Sequence, residues 1–286
     1  VNKIISHALQ SMPPSKRQKA FAKDTSKLIH MGLNENNYGM SPKAVAALED
    51  SMAGSHFYPD FAAVLLKQKV AEQYGLKAEN VLTGAGSSAM IDMIGLTFLD
   101  EGDEVLFSAP TYGAFADMAY LNGGVPVSVP VTEEQKFNLP AMKEKIGEKT
   151  KIVVICNPNN PTGALYPKEV LQQIVDLARE HQLIIFSDEI YDRLVMDGLE
   201  HVSIASLAPD LFCVTFSGLS KSHMIAGFRI GWMILSGAKE RAKGYIEGIK
   251  MLSNMRLCSN VPAQSIVQTA LGGHQSVESY IVPGGR

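Results

Sequence analysis

From about Asn80 onward, short β-branched runs alternate with longer segments of helical period, and no other feature constrains the chain as much. Parallel neighbouring strands need a dozen or more residues to return the chain, usually as a helix, so this alternation is the pattern of an α/β sheet with crossover helices. Strands are predicted at Val81–Thr83, Glu104–Ser108, Val125–Val129, Ile152–Cys156, Leu183–Ser187, Phe212–Phe216 and Ile230–Leu235. Helices are predicted between them at Ser87–Leu99, Gly113–Leu121, Leu139–Ile146 and Pro167–His181. No helical pattern separates the last two strands, so that pair is expected to bring in an antiparallel edge. The fold class expected is α/β, a mostly parallel seven-stranded sheet sandwiched by helices, with a partial small domain.

Before Asn80 the pattern changes to a polar, Lys-rich start, an Asn-rich turn at Asn34–Gly39 and helical stretches at Pro42–Met52 and Phe61–Tyr74. Residues 1–55 are expected to form an arm and part of a smaller domain, and residues 56–286 the large domain. A further helix is predicted around Ala263–Leu271, after which the sequence ends in the loop composition Val282-Pro-Gly-Gly-Arg286. Lys and Arg number 26 against 29 Asp and Glu, a balance unsuited to neutralising a phosphate backbone, so no nucleic-acid partner is expected. Apolar runs such as Ile152–Cys156 fall far short of the roughly 20 residues of a membrane helix, and none is expected. Cys156, Cys213 and Cys258 lie far apart without metal or disulfide spacing, and the first ten residues lack the apolar core of a secretory leader. A reducing, cytoplasmic setting without a metal is the expectation.

Four segments could carry chemistry. Thr83-Gly-Ala-Gly-Ser-Ser-Ala89 joins a strand end to a helix start, where free N–H groups and the hydroxyls of Ser87 and Ser88 suit a phosphate. The same residues are equally good turn chemistry, and they match the GxGxxA dinucleotide fingerprint. That fingerprint expects an acid at the end of the next strand, whereas Asp103 and Glu104 precede it. Cys156-Asn-Pro-Asn-Asn-Pro-Thr-Gly163 follows a buried strand, at the sheet edge where open α/β folds bind ligands; its composition alone is also that of a rigid turn. Leu183-Ile-Ile-Phe-Ser-Asp-Glu-Ile-Tyr191 ends a strand in an acid, by itself often a cap or a solvated turn. In Phe216-Ser-Gly-Leu-Ser-Lys-Ser222, Lys221 follows a strand among small residues, and Arg229 comes eight positions later. A lysine enclosed in this way can have its pKa lowered and act as a nucleophile.

Together these ends of strands supply phosphate donors, an amide, an acid, a phenol, a lysine and an arginine. Through Asn160-Pro-Thr-Gly163, Ser187-Asp-Glu-Ile-Tyr191, Ser217-Gly-Leu-Ser-Lys221 and Gly227-Phe-Arg229, the sequence resembles the fold-type I pyridoxal-phosphate aminotransferases of class I/II from about Ile29 to Arg286. The resemblance implies pyridoxal 5'-phosphate as cofactor, with Lys221 bonding it and then moving a proton at the substrate Cα. It implies Asp188 against the pyridine nitrogen, Asn160 and Tyr191 on the ring's phenolic oxygen, and Tyr112 stacked on the ring. Gly86, Ser87, Ser88, Ser220 and Arg229 would hold the phosphate, and Asn160-Pro161 would be a cis peptide. Tyr58 would reach the phosphate of a neighbouring subunit, implying a homodimer with shared active sites. His223, two residues beyond Lys221, is expected in the loop or behind the site.

The first half, with Asn34-Glu-Asn-Asn-Tyr-Gly39 and Phe57-Tyr-Pro-Asp60, resembles the histidinol-phosphate aminotransferase branch, which usually has Pro where this chain has Asn37. The second half, from Asp188 to Arg286, resembles the alanine (glutamate–pyruvate) branch. The substrates implied are an amino acid and a 2-oxo acid. Family members continue into a C-terminal small domain carrying an arginine for the substrate carboxylate, a role no residue here fills. The 286-residue chain is therefore expected to bind the cofactor but transaminate poorly. Three alternatives stand beside this reading: a decarboxylase or C–S lyase on the same scaffold, a noncatalytic cofactor-binding module, and a nicotinamide dehydrogenase that would have no need of Lys221.

Overall fold

The computed structural model describes residues 10, 29, 31–134, 136–255 and 260–272. Most of the expected N-terminal arm, Cys258 and the Val282–Arg286 loop lie outside the described residues. The seven strands are β1 (Val81–Ala85), β2 (Glu104–Ala109), β3 (Val125–Pro130), β4 (Thr150–Cys156), β5 (Ile184–Asp188), β6 (Cys213–Gly218) and β7 (Ile230–Ser236). They form one sheet in the order β1-β7-β6-β5-β4-β2-β3. All pairings from β6 to β3 are parallel, while β7 runs antiparallel to both β6 and β1. The antiparallel strand therefore exists but is not an edge: β1 lies outside it. The short link from β6 to β7, with a single 3-10 turn at Ala226–Phe228, cannot cross the sheet and returns beside the strand it left.

Eight helices flank the sheet among the described residues: α1 (Pro42–Met52), α2 (Val64–Tyr74), α3 (Gly86–Phe98), α4 (Ala114–Leu121), α5 (Leu139–Lys145), α6 (Lys168–Glu180), α7 (Lys243–Met255) and α8 (Val261–Gly272). α2 begins three residues later than its apolar pattern suggests. Asp60 takes the N–H groups of Ala62 and Val64 on its carboxylate, and Ala63 sits at φ +48°, so the chain turns there before it coils. α7 has no counterpart among the sequence expectations.

Period-two alternation sorts the strand residues into two layers. Ile152, Val154, Phe186, Val214 and Phe216 pack with α3, α4 and α7, whereas Val153, Ile155, Ile185 and Cys213 pack with α6. A strand buried on both faces reads as a continuous apolar run, which is why β4 and β5 stand out in the sequence. A third cluster joins α2 and α8 to the outer face of β1 and β7 through Leu66, Val70, Trp232, Ile234, Ile266 and Val267. The alternation carries Asp188, two residues after Phe186, onto the α3–α4 side at the carboxyl end of β5, and its neighbour Glu189 onto the opposite side.

Candidate active site

A cavity of about 360 Å³ opens at the carboxyl ends of β1, β4, β5 and β6. Because β7 is antiparallel, its first residues reach the same edge. The cavity is lined by Ser87, Ser88, Tyr112, Asn160, Asp188, Tyr191, Ser220, Lys221 and Arg229, so nine residues singled out from the sequence converge there. Gly86 abuts it through Arg229, while Tyr58 is 72% exposed and lies outside it.

The phosphate-suited end is built from α3. Its first turn has no side-chain cap, and Gly86 enters it at φ +79°, a conformation that favours glycine. A Cβ on Gly86 would collide with the Arg229 guanidinium, and one on Gly231 with the backbone of Gly86 and Ser87. Two glycines thus let β7, Arg229 and the first turn of α3 approach one another. Arg229, itself left-handed at φ +54°, donates to the Ala226 carbonyl at 2.9 Å and to the Ser220 hydroxyl at 3.5 Å. A guanidinium, two serine hydroxyls from α3 and unpaired helical N–H groups make an anion cradle.

Asp188 is 2% exposed at the cavity floor, and its carboxylate accepts from the Ile190 N–H at 3.2 Å. Burial pushes its pKa up to about 6, since no cation among its described neighbours compensates the charge. Lys221 is half-buried, and its pKa is lowered chiefly by desolvation, with Arg229 adding to the effect and Glu35 opposing it. Its Nζ donates to the carbonyls of Leu33 (2.8 Å) and Asn34 (3.2 Å). The Tyr191 hydroxyl accepts from Asn34 Nδ2 at 2.8 Å, and Tyr112 and Ser88 hydroxyls lie 3.3 Å apart. Asn160-Pro161 is cis, as are Ala109-Pro110 and Asn157-Pro158. His223 is buried behind the site, bonded to the Ser222 hydroxyl and the Ala270 carbonyl of α8, with its pKa lowered to about 4 by burial.

Leu33, Asn34 and Cys156 were not given site roles by sequence reasoning. Asn34 belongs to the Asn-rich turn, whose tolerance of left-handed backbone was legible, but its return to a sheet edge more than 150 residues away was not. Cys156 is buried beside Asp188 in register and accepts the Asn160 N–H at 3.4 Å, fixing the start of the loop that carries Asn160. Among the described residues no metal-ligating cluster is found, and no helix is long and apolar enough to cross a membrane.

The sequence matches the family described as aminotransferase class I and II over residues 26–282. It is 48% identical over 238 residues to the glutamate-pyruvate aminotransferase AlaA of Haemophilus influenzae, covering 80% of this chain and 59% of that protein. Against the alanine aminotransferase of Mycobacterium bovis it is 50% identical over 210 residues, 73% of this chain and 49% of the relative. The chain spans about half the length of the curated relatives it matches. An aminotransferase crystal structure from Escherichia coli superposes with a TM-score of 0.84 at 42% identity, covering 87% of this chain and 64% of that one. The alanine aminotransferase of Pyrococcus furiosus gives 0.78 at 30%, covering 84% and 63%. By its sequence and its fold the chain belongs to the class I and II aminotransferases, a family dependent on pyridoxal phosphate.

Proposed function

We propose that the protein exchanges an amino group between an amino acid and a 2-oxo acid, with alanine, pyruvate and glutamate as the substrate class. The observation that carries this reading is the convergence of Lys221 and Asp188 with the Arg229 and α3 cradle on one cavity. The donor set suits pyridoxal phosphate at each of its polar groups. An acid buried without a cation is what a protonated ring nitrogen requires, and the bare α-carbon of Gly86 lets the Arg229 guanidinium lie against the first turn of α3, where a side chain would collide with it. When bound, the cofactor supplies an electron sink for charge developing at the substrate Cα.

The chain's own residues do the rest. Among the residues lining the cavity, Asp188 would hold a proton on the ring nitrogen, Asn160 and Tyr191 would serve the phenolic oxygen, and Tyr112 would cover the ring. Gly86, Ser87, Ser88, Ser220 and Arg229 anchor the phosphate. Lys221, with its lowered pKa, would hold the cofactor, and its free amine would take and return the proton at the substrate Cα. The alanine-type relatives support this substrate class over histidinol phosphate. We assign residues 56–286 to the cofactor-binding domain and residues 1–55 to the arm and smaller domain. A homodimer, with exposed Tyr58 reaching the neighbouring site, completes the assembly. A cytoplasmic setting agrees with the buried free thiols of Cys156 and Cys213.

The test is a single turnover of the cofactor-loaded protein with excess L-alanine. Pyruvate approaching the number of sites, formed slowly and with the amino group retained on the cofactor, is the expected product. Release of carbon dioxide or ammonia instead would move the assignment to a decarboxylase or lyase. Gly231→Ala supplies a structural check on the cradle. Its Cβ forces the Gly86–Ser87 backbone away from Arg229, at a stability cost of about 1–3 kcal/mol, and phosphate-anchored affinity is expected to fall at least about tenfold. Thermal unfolding and a cofactor titration read the two effects, and unchanged affinity would place the phosphate elsewhere.

A further inference from the structure

The segment around Leu33–Asn34 enters the site from far away in sequence and touches two of its working groups with one residue. Asn34 Nδ2 donates to the Tyr191 phenol oxygen, while the Asn34 backbone carbonyl accepts from Lys221 Nζ. Leu33 and Asn34 both sit in the left-handed region, at φ +59° and +49°. For leucine this costs about 1 kcal/mol or more, so the conformation persists because its contacts over-determine it. A phenol has one proton to give and lone pairs to receive with. With Asn34 as donor, the Tyr191 oxygen is used as an acceptor and its own proton stays uncommitted.

We propose that Asn34 is a positioning residue for amino transfer: by donating to Tyr191 it aims the phenol proton into the cavity, toward the cofactor's phenolic oxygen, while its carbonyl steers the free Lys221 amine. The inference rests on the cofactor assignment made above. It distinguishes Asn34 from a residue that merely packs, because an aspartate of the same shape would reverse the bond, taking the Tyr191 proton and turning it away from the cavity. The other groups acting on Tyr191 are Asp188, Cys156 and Tyr112, and those acting on Lys221 are Glu35 and Arg229; none is altered by the substitution.

Two readouts on the full chain test it. In the cofactor-free protein, the Tyr191 phenol titration, isolated by ultraviolet difference against Tyr191→Phe, should move upward in Asn34→Ala, because a donor to the phenolate has been lost. In the loaded protein, the pH midpoint of the visible band should rise slightly in Asn34→Ala and by about one pH unit in Asn34→Asp. In a Tyr191→Phe background the Asn34→Asp shift should collapse, because the route through the phenol is gone. A full shift retained in that background would show that the new charge acts through space, and a Tyr191 titration unmoved by Asn34→Ala would remove the hydrogen bond; either overturns the proposal. If the wild-type protein forms no band at all, the cofactor assignment fails and the phenol titration still decides the Asn34–Tyr191 bond. Asn34 is exposed, so unchanged thermal midpoints confirm that the fold is intact.

Discussion

Replacing Asp188 with Asn is expected to stabilise the cofactor-free protein at neutral pH while weakening its hold on pyridoxal phosphate. The carboxyl is 2% exposed with one backbone donor, and its pKa rises from 3.8 to about 6 through desolvation. The folded state therefore binds more protons than the unfolded chain between roughly pH 4 and 6. The stability this group contributes is complete below the unfolded value and is lost as the pH climbs through the folded one. A rise of this size corresponds to about 3 kcal/mol. Asn carries no charge to bury, so denaturant unfolding should find Asp188→Asn more stable at pH 7 by up to about that amount. The difference should vanish near pH 4. Glu189, on the other face of the sheet with its pKa pushed up to about 8, contributes a slope of the same sign to both proteins and leaves the comparison intact. Cofactor binding should change in the opposite sense, because an amide cannot balance a protonated ring nitrogen. The alanine half-reaction should slow by about a hundredfold or more. Equal unfolding curves at pH 7 would mean that the buried charge is compensated by a group outside this account.

Lys221→Ala should have the larger effect on chemistry and a measurable one on structure. In the proposed assignment the amine bonds the cofactor and transfers the Cα proton, and general acid–base catalysis of this kind contributes about 10²–10⁴-fold. The half-reaction with L-alanine should fall by at least that factor, and the visible band of the lysine-bonded cofactor should be absent. The same substitution removes the amine that holds both the Leu33 and Asn34 carbonyls, leaving the Asn34–Tyr191 hydrogen bond to tie that segment to the site. Amide exchange over residues 31–36 should accelerate in the variant. Retention of wild-type turnover would remove Lys221 from the mechanism, and unchanged exchange would show that the segment is held by other contacts.

The sheet was legible because its central strands are buried on both faces and so appear as apolar runs of the right length, as in Ile152–Cys156 and Leu183–Phe186. The place of β7 was not legible, because strand order depends on which neighbour pairs with which, and a short β6–β7 link fixes only their mutual direction. The helix starting at Lys243 was not legible, because Gly244 weakens its first turn and Gly248 falls inside its apolar stripe of Ile246, Ile249 and Leu252. In the site, residues that end strands were readable, since a strand end fixes where a side chain emerges. Asp188 ends β5, and Lys221 and Asn160 follow the ends of β6 and β4 within four residues. Asn34 was not readable, because a contact across 157 residues leaves no local pattern. The role of Gly231 was equally hidden: its need for a bare α-carbon comes from the backbone of Gly86 and Ser87, and only the folded sheet brings them together.

Lys221 is the proposed point of attachment for pyridoxal phosphate, and the roles given to the other site residues depend on it. The attachment is tested most directly by incubating the protein with the cofactor, reducing with borohydride and mapping the modified peptide. One pyridoxyl adduct per chain is expected, on Lys221, with Arg229→Ala requiring at least about tenfold more cofactor for the same labelling. A folded protein that gives no adduct, or gives it on another lysine such as Lys67 or Lys250, would contradict it.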